Sequence, residues 1–139
     1  MSLDLARLLI DFGFVVLIWV VQLVIYPSFG FYSKANLFNW HKSYTARVTL
    51  IVLPLMFSQL ILSCIQLWKV QNWYTILSLV IIITLWLLTF LIFVPLHQSI
   101  DNNKSTDDVC FKLVRKNWTR TLLWTLLFSI SVLNYSINP

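Results

Sequence analysis

YTILSLVIIITLWLLTFLIFVPLH, residues 74–97, carries no acidic or basic side chain until the histidine that closes it. A helix rises about 1.5 Å per residue, so a run of this length crosses the ~30 Å hydrocarbon core of a bilayer. Backbone amides in that medium must pair within their own segment, which makes the run a helix and not an open strand. Pro95 is expected to end the helical ladder, because its ring removes a donor and crowds the preceding turn. His97 then stands where the segment meets water.

Working outward, three further stretches have the same apolar character, at roughly 7–26, 45–68 and 118–137. The fold expected is all-α, an integral membrane four-helix bundle forming a single domain over residues 1–139. Composition agrees: 59% of residues are hydrophobic, 11% are charged and the mean hydropathy is +0.81. Soluble domains carry about 25% charged residues. Two glycines and four prolines leave no room for a linker, and no internal repeat stands out. The first run lacks a small-residue cleavage site and reads as a retained span, not a signal peptide. Residues 69–73 (KVQNW) form a tight turn, while 27–44 and 97–117 are the two substantial connections.

Four spans put both termini on one side, together with the 69–73 turn. That side holds Arg7 and Lys69, whereas the other holds Lys34, Lys42, Lys104, Lys112, Arg115 and Lys116, with Arg47 and Arg120 just inside their helices. Positive loops stay cytoplasmic, so both termini are expected outside and both long loops inside, as in a bacterial inner membrane. The net charge of +5 needs no nucleic acid, since anionic lipid headgroups answer it. Cys64 and Cys110 fall far apart in this layout, so no disulfide is expected. No ligand spacing accompanies them, and no metal site is expected. There is no glycine-rich phosphate loop and no legible Ser-His-Asp arrangement.

Chemistry-bearing residues crowd one level. Trp19, Gln22 and Tyr26 share a face at the end of the first span. Trp40, Tyr44 and Arg47 form a stripe entering the second, flanked by His41. The third carries Trp86, Phe90, Phe93 and His97 at helical spacing, and the fourth opens with Asn117, Arg120, Thr121 and Trp124 on one face. Each has an ordinary explanation. Arginines near helix ends reach lipid phosphates, a histidine at a helix C-terminus answers the dipole, and aromatic stripes are usually packing. Their coincidence at one depth points instead to a shared pocket. Gln59, Ser63 and Gln66 read as hydrogen-bonding glue, and Arg7–Asp11 as a self-neutralising i, i+4 pair.

The stretch ending V-P-L-H-Q-S-I (residues 94–100), followed by N-W-T-R-T (117–121), resembles the DUF1772 group of small four-span membrane proteins, which includes the anthrone oxygenases. Pro95 matches that group's proline, His97 stands where its asparagine is common, and Asn117 with Arg120-Thr121 matches its second motif. The likeness covers roughly residues 84–125. It implies a four-helix bundle able to pair as a homodimer, an intramembrane pocket, and cofactor-independent oxidation of a polycyclic phenol by dioxygen.

The function expected is binding of a flat, apolar, partly acidic small molecule, with oxygenase chemistry as one outcome. Trp19, Trp86, Phe90, Phe93 and Trp124 would hold its rings; Gln22, Tyr26, Trp40, Tyr44 and Asn117 would line the site; Arg47 and Arg120 would pair its oxygens. His97 or His41 would act as base. Two rivals stand beside it. One is an electron carrier with a b-type haem between His41 and His97. The other is a non-catalytic membrane subunit whose polar layer only locks the helices together.

Overall fold

The computed structural model describes residues 2–102 and 106–137, so Lys104 lies outside the described residues. Those residues form four long helices and no strand: α1 (Leu3–Phe31), α2 (Lys34–Lys69), α3 (Trp73–Asp101) and α4 (Thr106–Ile137). Side-chain caps start the first three. Ser2 accepts from the amide of Leu5 and Ser33 from that of Asn36, while Asn72 and Thr75 form a reciprocal capping box. Each satisfies amides that a helix start leaves without an intrahelical partner.

The helices are longer than the apolar runs. The segments 27–44 and 97–117, expected as connections, are largely helical, and His41, Tyr44 and His97 therefore sit on helices. Pro95 does not end its helix. A π-turn over Thr89–Phe93 precedes it, and α3 continues to Asp101. A matching π-turn, Val21–Ile25, precedes Pro27 in α1. In both places the amide after the turn bonds back five residues, Tyr26 to Val21 and Val94 to Thr89. Proline clashes with the carbonyl four residues earlier, here Leu23 or Leu91, and the wider turn absorbs that misfit.

α1 packs along α4 and α2, and α3 packs on α2 and α4, so four helices surround one interior. The inward stripe of α2 runs from Leu37 and His41 through Tyr44, Met56 and Gln59 to Ser63 and Gln66. Large apolar side chains point outward along the helices, including Leu23, Leu50, Leu91 and Leu122. A water-soluble monomer rarely exposes so much contiguous apolar surface. α1, α2 and α3 are long and apolar enough to cross a membrane. α4 is less apolar because it supplies much of the polar interior: Asn117, Arg120, Thr121, Ser131 and Asn134 are all buried.

Two polar layers lie in that interior. Near the α2–α3 turn, fully buried Asp11 accepts from Arg7 (3.0 Å), Gln59 (2.6 Å) and Ser131 (2.5 Å). Arg7 also donates to Gln66, and Tyr74 meets Ser131. The i, i+4 pair thus ties α1 to α2 and α4, a role wider than self-neutralisation. Phe14 stacks on Trp124 at 4.7 Å and, beside Met56, forms an apolar floor between this layer and the second.

Candidate functional site

The second layer surrounds a cavity of about 320 Å³ between α1, α2, α3 and the Arg120 face of α4. The two π-turns bring their residues into it. Gln22 lies in the first; Thr89 and Phe93 open and close the second. A π-turn rotates everything beyond it relative to a regular helix, which aims Tyr26 and His97 at each other across α1 and α3.

The polar wall is one continuous chain of hydrogen bonds. Asp101 Oδ1 lies 2.7 Å from His41 Nδ1; His41 Nε2 lies 2.8 Å from His97 Nδ1; His97 Nε2 lies 3.0 Å from the Tyr26 hydroxyl. Arg120 Nη2 donates to that hydroxyl at 3.1 Å. The two ends set the direction. A guanidinium can only donate, so the Tyr26 oxygen accepts from Arg120 and its proton must point to His97. An ionised carboxylate can only accept, so His41 carries its proton on Nδ1 and receives from His97 on Nε2. With both imidazoles neutral, one arrangement satisfies every contact. Shifting each proton one step along it would leave a phenolate beside Arg120 and a protonated Asp101. The His41 side chain is 0% exposed and that of Asp101 30%, so the chain leads from the interior to a wet rim.

Arg120 is held from behind. Nε and Nη2 both donate to Asn117 Oδ1, at 2.9 and 2.7 Å, and Asn117 Nδ2 donates to Gln22 Oε1 at 2.9 Å. Its guanidinium carbon lies 3.5 Å from the centre of the Phe93 ring, a cation–π contact. Nη1 has only Thr89, at 3.5 Å. Among the described residues no carboxylate reaches Arg120 within ion-pair distance, although the residue is buried. Burying a charge without a counter-charge is costly. The arrangement therefore has chemical use for an anion in the cavity, whether a bound oxyanion or one formed during reaction.

Of the residues anticipated from sequence, Tyr26, Tyr44, Phe90, Phe93, His97, Arg120 and Trp124 line the cavity. His41, Gln22 and Asn117 support it from behind through the bonds above. Four others face elsewhere. Trp40 and Arg47 are exposed on the outer side of α2, and Trp86 packs edge-on against Phe57 outside the cavity. Trp19 bonds Thr125 and meets Trp118, away from the site. The Trp40–Tyr44–Arg47 stripe splits because His41 and Tyr44 set the inward direction of α2, leaving Trp40 and Arg47 to either side. Several contributors were not anticipated, Asp101 and Phe29 among them. Asp101 is one turn beyond His97 on the same face, a signal present in the spacing. Phe29 packs edge-on against His41 and Tyr44 from a 3₁₀ turn that only the folded chain reveals.

A b-type haem between the two histidines does not fit. Their facing nitrogens are hydrogen-bonded, and the rings stack with centroids 5.0 Å apart. Axial ligands on opposite faces of a macrocycle need the iron and the porphyrin between them. Among the described residues no group of three or more His, Cys, Asp or Glu side chains converges as a metal site would. No family model, curated protein or solved structure matches the chain.

Proposed function

We propose that this is an integral membrane protein of a bacterial inner membrane, with both termini outside, and that its cavity binds a flat, weakly acidic, lipid-soluble molecule and removes its proton. The observation that carries this reading is Arg120, a buried guanidinium that no carboxylate among the described residues contacts, on the wall of the cavity. A phenolate or enolate oxygen against Nη1 supplies the missing charge, and a preorganised cation in low dielectric stabilises such an anion strongly. Tyr26 and His97 receive the proton, and His41 passes it to Asp101 at the rim. A neutral imidazole bonded on both nitrogens suits this transfer, because it accepts on one side as it releases on the other.

The resemblance to the anthrone oxygenases extends the proposal to one reaction. A carbanion left by proton removal adds dioxygen, the O–O bond breaks, and a ring CH2 becomes a carbonyl as water leaves. The abstracted proton returns to the departing oxygen, so the overall change is CH2 plus O2 to C=O plus H2O.

The test uses 2-naphthol, a flat weak acid whose absorbance separates the neutral and ionised forms. Wild-type protein in lipid nanodiscs is expected to bind it with the spectrum of the naphtholate at a pH where free naphthol is neutral. Losing a charge-assisted hydrogen bond costs about 1.5–3 kcal/mol, so Arg120→Gln is expected to cut naphtholate binding roughly 10- to 150-fold. Wild type binding no more naphthol than empty nanodiscs, or Arg120→Gln behaving like wild type, overturns the assignment.

A further inference from the structure

The cavity has a side opening. α2 and α3 meet through Phe57 and Trp86, whose rings lie 5.1 Å apart, and meet again where His41 bonds His97. Between those points α2 has little contact with the π-turn Thr89–Phe93. At about 1.5 Å per residue, the stretch of α3 from Trp86 to His97 spans roughly 16 Å. Within this window Thr49 of α2 and Phe90 of α3 line the cavity and are also exposed, so the cavity reaches the surface between them. Their outward neighbours Leu50 and Leu91 are 76% and 70% exposed. A surface of that kind faces acyl chains, not water.

The polar and apolar parts of the cavity are arranged accordingly. Arg120, Tyr26 and His97 lie deep, while the floor of Phe14 and Trp124 closes the path toward the Asp11 layer. A volume of about 320 Å³ is at the low end for small-molecule sites, near 300 Å³. A molecule with an acidic oxygen at one end and a longer apolar part must leave that part in the window.

We propose that the window between α2 and α3 is a lateral portal through which the ligand enters from the bilayer. The ligand class is a membrane-dissolved weak acid, phenolic or enolisable, whose head reaches Arg120 and whose apolar tail extends into the lipid. This rests on the site assigned above. The π-turn before Pro95 is the feature that holds the portal open, since the wider turn displaces α3 from the straight course that would let it pack along α2.

The test pairs 2-naphthol with 6-hexadecyl-2-naphthol, which has the same head on a chain too long for the cavity. Both are added to wild type and two variants in nanodiscs, with binding followed by stopped-flow absorbance of the naphtholate. Wild type is expected to bind both. Thr49→Trp, which fills the window, is expected to reduce binding of the hexadecyl probe at least tenfold and to slow entry of 2-naphthol. Leu50→Trp, one position around the helix, serves as the control for added bulk and is expected to match wild type. Thermal melts of each variant separate a blocked portal from a failed fold. If wild type ionises 2-naphthol but rejects the hexadecyl probe, the portal is wrong and the site assignment stands. If a folded Thr49→Trp takes up both probes at wild-type rates, the portal is wrong as well. If wild type binds neither, both ideas fall together.

Discussion

Arg7 and Arg120 carry the same charge at similar burial but in opposite company, and replacing each by methionine tests whether that difference is real. Arg7 donates to both oxygens of fully buried Asp11. Removing it leaves a carboxylate in the interior with only Gln59 and Ser131 as donors, and breaking a buried pair in this way costs about 3–5 kcal/mol. Arg120 leaves no charge behind. Its removal deprives Asn117 Oδ1 of its donors, about 1–3 kcal/mol, and ends the contact with Phe93, about 2 kcal/mol for a desolvated cation. Against these losses stands relief from burying a lone guanidinium, itself several kcal/mol. The opposing quantities are similar, so Arg120→Met is expected to lie within about 2 kcal/mol of wild type. Reversible unfolding by SDS titration in mixed micelles, followed by far-UV circular dichroism, measures both. Equal destabilisation by the two substitutions would refute the claim that Arg120 is kept for an anion and not for the fold.

Two further outcomes are expected. Asp101→Asn removes the acceptor at the end of the relay while leaving a side chain able to bond His41; 2-naphthol should still bind but with its naphtholate fraction reduced several-fold, measured by the same absorbance, and an unchanged fraction would disconnect Asp101 from the site. In a background lacking Cys64 and Cys110, a membrane-impermeant maleimide applied to intact cells is expected to label Val70→Cys and to spare Asn102→Cys until the membrane is broken. The reverse pattern would invert the topology drawn from the positive charges.

The amino-acid pattern determined the helical class on its own, because uncharged runs the width of a bilayer leave the backbone no other way to satisfy its hydrogen bonds. It also placed Gln22, Tyr26, His97, Asn117, Arg120 and Trp124 at a common depth, since position along a helix converts directly to height. Direction around the axis was harder. Trp40 and Arg47 lie at the right height but face outward, because the inward side of α2 is chosen by contacts of His41 and Tyr44 with α1 and α3. Neither proline announced a π-turn, for the misfit at the carbonyl four residues earlier can be met by a stop, a kink or a wider turn. In both places the chain meets it with the wider turn. Only the tertiary structure joined Asp101 to Arg120 through two imidazoles and a phenol, because hydrogen bonds between α1, α2, α3 and α4 depend on relative rotations that no single helix encodes.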